Sequence, residues 1–166
     1  MRILSLDISG NFEEGKGTTG YTVGSSNGTV YEIGDIRAKD FSTRMEYFEA
    51  VLKLTTLKNI DIVVCENYRL YGNKTKEQTH SLLETPRIIG ALEFWCYTHN
   101  THIKFQMASD VKKRFNDDLL IRKDIFTKKN NFIYYKDILT NDHMRDSFRH
   151  YLFFLKYTLK RKFRGV

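Results

Sequence analysis

The sequence predicts one α/β domain, residues 1–166, with a mixed five-stranded sheet flanked by helices. Three observations lead to it. Residues 2–36 read as three short β-rich runs separated by turns. Two more β-rich runs follow, each preceded by a segment with helical spacing, the pattern of parallel strands joined by crossovers. A chain of 166 residues with 41% hydrophobic content can bury one sizeable core, and no Pro/Gly/Ser-rich linker divides it.

Residues 2–7, "RILSLD", are a mostly apolar strand ending in Asp7. The loop after it carries Gly10, Gly15 and Lys16 at the spacing of a phosphate-binding loop. That reading fails on context. Gly17 stands where Ser or Thr must hold Mg²⁺, Glu13 and Glu14 would repel a phosphate, and "TTGYTVG" alternates like a strand instead of opening a helix. The loop is a turn between antiparallel strands. Residues 18–24 and 28–36, joined by a tight turn at "SSNG", complete a three-stranded meander.

Residues 40–59 place Met45, Phe48, Val51 and Leu52 at helical intervals, with Asp40 or Ser42 as N-cap. Residues 61–66, "DIVVCE", are a central strand parallel to the first and ending in Glu66. Residues 66–78 are polar, basic and aromatic, and predict an exposed loop. Residues 77–99 predict a long helix that Pro86 kinks or splits. Residues 102–107 give the fifth strand, and 109–115 a short helix with Ser109 as N-cap. Residues 119–136 read as helical. The closing helix, 142–160, carries an apolar stripe of Met144, Phe148, Tyr151, Leu152, Leu155 and Leu159, with Asp142 as N-cap.

The net charge is +7. Residues 1–50 hold five basic and eight acidic side chains, so the excess lies after them, and the last twenty residues have six basic groups and no acid. A polyanion is the natural partner of such a chain, and nucleic acid is the commonest. Cys65 and Cys96 lie in apolar runs and read as reduced core thiols. No apolar run approaches membrane-spanning length and the N-terminus enters a strand without a secretory leader, so the expected compartment is the cytoplasm.

Asp7 and Glu66 each end an apolar strand at the sheet edge where open α/β folds bind ligands. One such acid caps a strand; two at the same end point to a metal site. His143 and Asp146, spaced i, i+3, share a face at the start of the last helix. Oxygen and imidazole ligands converging on one point suit divalent ions, and two such ions can activate water and stabilise the leaving oxygen in phosphodiester hydrolysis. His150, another turn along, reads as a surface or partly buried histidine.

These residues resemble the RuvC Holliday-junction resolvases, within the ribonuclease H-like superfamily, and the phage-encoded members more than the bacterial housekeeping enzyme. The resemblance runs through "LSLDISG" with "TTGYTV", "DIVVCENY", "MASDVKKRF" and "DHMRDSFRHYLFF". It implies a ribonuclease H-like fold and a magnesium-dependent endonuclease that nicks branched DNA in the cytoplasm of a bacterium or phage-infected host. It implies Asp7, Glu66, His143 and Asp146 as ligands of two Mg²⁺ ions, with Mn²⁺ able to substitute. Lys112 matches a family lysine near the scissile phosphate, and Lys123 a second one. Tyr68, with Tyr71 as substitute, falls where the family places an aromatic wedge. Arg69, Lys74 and Lys76 in the exposed loop, with Lys113, complete the expected DNA contacts. A symmetric homodimer follows from paired cuts at a two-fold junction, with Leu82–Trp95 as interface or plain core.

The sequence departs from the family in three places. "DISG" replaces the usual D-P-G, Ser147 stands where Ala is common, and Asp142 becomes a ligand if the helix starts differently. The alternatives are a general ribonuclease H-like nuclease and a non-catalytic branched-DNA-binding module. A fragment of a sugar-kinase-like ATPase would need a second Gly-rich loop and a longer chain.

Overall fold

The computed structural model describes residues 1–68 and 83–161. Strands β1 (Arg2–Asp7), β2 (Thr18–Ser25) and β3 (Val30–Arg37) form an antiparallel meander. β4 (Ile62–Glu66) and β5 (His102–Gln106) add to it in parallel, giving one sheet of order β3-β2-β1-β4-β5. This is the mixed five-stranded sheet that the sequence predicts. The loop after Asp7 is a turn, closed by Gly15 N–H donating to Phe12 O at 2.8 Å, and no helix opens there. The second turn is likewise tight, with Gly28 N–H donating to Ser25 O and Gly28 at a φ of 94° that suits glycine.

The sheet buries both faces. Leu4, Leu6, Val63 and Cys65 pack on one side under α1 (Arg44–Leu57) and α2 (Glu84–Thr98). Ile3, Ile33 and Val64 pack on the other under α5 (Asp142–Phe153), whose Phe148, Tyr151 and Leu152 are fully buried. α3 (Ala108–Arg114), α4 (Asp117–Arg122) and the link between them contribute Val111, Leu120 and Phe115 respectively. Cys65 and Cys96 are buried free thiols, and burial raises both above the ordinary thiol range. Among the described residues, no helix is long and apolar enough to cross a membrane.

Several elements differ from expectation. α1 starts at Arg44, because Thr43 and Glu46 close a capping box that neither Asp40 nor Ser42 forms, and Met45 points to solvent. Pro86 lies in the first turn of α2, where it needs no donor, and leaves the helix unbroken from Glu84. α3 begins at Ala108 with no side-chain cap, so Ser109 sits inside it. α5 is capped by Asn141, whose side chain accepts from Met144 N–H, which moves Asp142 inside the helix. Beyond Phe153 the helix widens into a π turn over Phe154–Thr158.

The largest difference is at residues 119–136. The helix stops at Arg122, and β6 (Thr127–Lys129), β7 (Phe132–Tyr135) and β8 (Ile138–Thr140) form a second, three-stranded antiparallel sheet. The physical reason is local. "FIYY" is a β-branched and aromatic run, and Asp124, Asn130 and Lys136 take positive φ at the bends. Ile133 and Tyr135 face the core, where Tyr135 packs on Phe126 and Phe148.

α5 lies close on the sheet because β2 offers glycines beneath it. A Cβ on Gly20 would overlap the His143 carbonyl, and one on Gly24 would run into the Tyr151 ring. Gly20→Ala should therefore lower stability by roughly 1–3 kcal/mol, the cost of overpacking. Gly90→Ala, on α2 with nothing near its Cβ position, should raise it by about 0.5–1 kcal/mol. Urea midpoints of the two variants check this contrast.

Candidate active site

Side-chain alternation decides which acids meet. Along β1, Leu4 and Leu6 face α1 and α2, so Ile3, Ser5 and Asp7 face α5. Along β4, Val63 and Cys65 face the first layer, so Val64 and Glu66 face α5. β1 and β4 are adjacent and parallel, which brings Asp7 and Glu66 to the same sheet end under the same helix. Gly20 is the β2 partner of Asp7, so the glycine that admits the helix sits beside the acid the helix must reach.

α5 then supplies the rest. His143 Nδ1 lies 2.6 Å from Asp7 Oδ2. Asp146, 8% exposed like Asp7, accepts from Lys112 Nζ at 2.9 Å and from Arg149. Arg149 also pairs with Asp117, which in turn meets Arg145 Nε at 3.2 Å. His150 is 1% exposed, with Nε2 3.2 Å from Glu66 Oε2 and Nδ1 2.9 Å from Gln106 Oε1. It is therefore a fully buried partner of Glu66, where a surface or partly buried histidine was expected. The Ser147 hydroxyl sits 2.9 Å from that of Thr22, a bond that an alanine there would lack.

The charges are strongly coupled. Burial pushes the Asp7 carboxyl above its ordinary range; the His143 hydrogen bond opposes this, while Glu66 and Asp146 add to it. The hydrogen bond to Asp7 raises His143 against the effect of its own burial. Burial works against the Lys112 charge, but Asp146, then Glu66 and Asp7, overcome it and raise the ammonium. Asp7, Glu66 and Asp146 thus lie within electrostatic reach of one another and of one lysine.

Asp7, Glu66, His143, Asp146 and Lys112 are brought together. Among the described residues, no three His, Cys, Asp or Glu side chains stand grouped for a metal ion, since each acid faces a cation or imidazole of its own. The donor set suits a hard divalent ion: three carboxylates and one imidazole, with two of the acids raising the third. Binding would require His143 and Lys112 to exchange their present acid partners. Asp142 is exposed and paired with Arg145, and its charge adds to the raising of His143.

Tyr68 is half-buried just beyond Glu66, and Lys113 and Lys123 are exposed. Arg69, Tyr71, Lys74, Lys76 and Leu82 lie outside the described residues. Sequence reasoning missed Arg149, His150 and Gln106. Helical spacing from His143 and Asp146 carried the signal for the first two, because positions three and four apart share a face.

The architecture defines a class: a ribonuclease H-like fold of the RuvC type. The particular likenesses are to two resolvases. RuvC of Thermus thermophilus in complex with Holliday junction substrate superposes with a TM-score of 0.66, at 14% identity, over 100% of this chain and 99% of that one. The fowlpox virus Holliday junction resolvase gives 0.58 at 16% identity, over 95% and 99%. Its complex with substrate Holliday junction DNA gives 0.52 at 15%, over 96% and 99%. The sequence itself matches no family model and no curated protein.

Arg149 neutralises two acids at once from a buried position. Arg149→Ala would leave Asp146 to Lys112 alone and Asp117 to Arg145 alone, and should cost about 1–3 kcal/mol of stability. Chemical denaturation measures it; a loss below 1 kcal/mol would show that the two carboxylates find water instead.

Proposed function

We propose that the protein is a metal-dependent endonuclease that nicks branched DNA, four-way junctions in particular. One observation carries this reading: Asp7 and Glu66 end two adjacent parallel strands under α5, and both lie with Asp146 within electrostatic reach of Lys112. The fold shared with two junction resolvases supports it.

In this reading Asp7, Glu66, His143 and Asp146 hold two Mg²⁺ ions. The ions, when bound, supply an activated water and charge stabilisation at the leaving oxygen. Arg149 and His150 keep Asp146 and Glu66 aimed, each from a buried position with a second anchor of its own, Asp117 and Gln106. Lys112, half-exposed, turns from Asp146 to meet the scissile phosphate. Lys113 and Lys123 gather the backbone, and Tyr68 stacks on bases opened at the branch point. The subunits pair as a symmetric dimer through α2. Its Ile88, Leu92 and Cys96 are core, while Phe94 and Tyr97 are 68% and 82% exposed and free to form an interface.

The test uses a labelled four-way junction, a linear duplex and an RNA–DNA hybrid, with and without Mg²⁺. Metal-dependent nicking of the junction alone is the expected result. Cutting of the hybrid instead would mark a general ribonuclease H-like nuclease, and binding without cutting a DNA-binding module. Asp146→Asn should lower junction cleavage by orders of magnitude while junction affinity holds or rises. His143→Asp should keep substantial activity, since a carboxylate also fits that ligand position. Asp142→Asn should be mild, because that side chain is exposed and paired with Arg145.

A further inference from the structure

Two grooves meet on the His143 side of the acids, away from Lys112. The first, of about 490 Å³, is lined by Lys16, Arg37, Lys39 and His143. The second, of about 460 Å³, is lined by Phe132, Ile138, Leu139 and Met144. Arg37 and Asn141 line both, so the grooves adjoin.

The first groove is basic and open. Its lysines are exposed, and its one lining acid, Asp142, is already paired with Arg145. The Lys16–Glu14 pair is at the surface, where such pairs are worth little. Lys16 lines the groove while Glu13 and Glu14 do not, so Lys16 can turn to a phosphate there without placing it against those acids. The second groove is apolar and aromatic. Phe132 is 55% exposed, on the outer face of the second sheet beside Lys129, its register partner. Asp35 lies at the junction, tied to Arg37 at 2.7 Å and to Asn141 at 2.7 Å. Exposed apolar surface next to ordered cations has the character of a single-strand path: charges track the backbone and ring faces take the bases.

We propose that these grooves form a track for one DNA strand running away from the acids. Its phosphates meet Lys16, Arg37 and Lys39, and its unpaired bases stack on Phe132 and pack against Leu139. This rests on the nuclease reading for its direction but not for its chemistry. The second sheet then serves a purpose beyond core packing: it carries the base-contacting wall.

The experiment is fluorescence anisotropy of the full chain with a labelled oligothymidine and a blunt duplex across a salt series, alongside junction nicking. The triple variant Lys16→Ala, Arg37→Gln, Lys39→Ala should lower the oligothymidine salt slope by about 2. Phe132→Ala with Leu139→Ser should weaken oligothymidine binding on the order of tenfold, with the slope and the duplex affinity unchanged. If circular dichroism finds the triple variant unfolded, Lys16→Ala and Lys39→Ala singly carry the test. Wild-type nicking together with unaltered oligothymidine binding in both variants overturns the track and spares the nuclease. Oligothymidine binding that responds as stated, in a protein that nicks nothing, keeps the track and removes the nuclease. A fall in sedimenting mass on Phe132→Ala would assign the apolar groove to a protein contact and overturn the proposal.

Discussion

The approach of α5 to the sheet at backbone distance is the constraint on which the rest depends. Helices ordinarily stand off a sheet by the length of the side chains between them. Here Gly20 and Gly24 remove that spacer along one strand, and Thr22 between them bonds the helix through Ser147. The helix start is thereby fixed against β1 and β2, which is where Asp7 waits. A side chain at Gly20 would lift the first turn, and with it His143, away from Asp7.

Bringing three acids together in a half-dry place requires compensation. Lys112, Arg149, His143 and His150 provide it from α3 and α5, each with a defined acid partner. Buried carboxylates without such partners would be strongly unfavourable. The division of labour is visible in burial. Arg149 and His150 are sealed in and have second anchors, whereas Lys112 and His143 are partly exposed. The sealed pair fixes geometry. The exposed pair is able to move.

The five-strand order and the meeting of Asp7 with Glu66 were legible in the sequence, because two-residue alternation and β-branched runs report directly on which face is buried. The shared helix face of His143 and Asp146 was legible for the matching reason in a helix. Residues 119–136 were not, because a charged start with Leu119, Leu120 and Ile121 has helical spacing and masks the strand signal of "FIYY" further on. His150 was misplaced because burial of a polar residue depends on a partner, and Glu66 and Gln106 stand 84 and 44 positions away. Caps were missed by one or two residues where two polar side chains compete for the same helix end, as Asn141 and Asp142 do.

The distance along the chain between Asp7 and His143, 136 positions, has a consequence for synthesis. Chains emerge from the ribosome N-terminus first, so β1 and β4 are made long before their partner helix. Until α5 arrives, Ile3, Ile33 and Val64 lack the largest part of the cover on their side of the sheet, Phe148, Tyr151 and Leu152. An interrupted chain therefore lacks both the acid cluster and a closed core, and exposes an apolar face that proteases and chaperones recognise. Completion of the fold and completion of the acid cluster are one event.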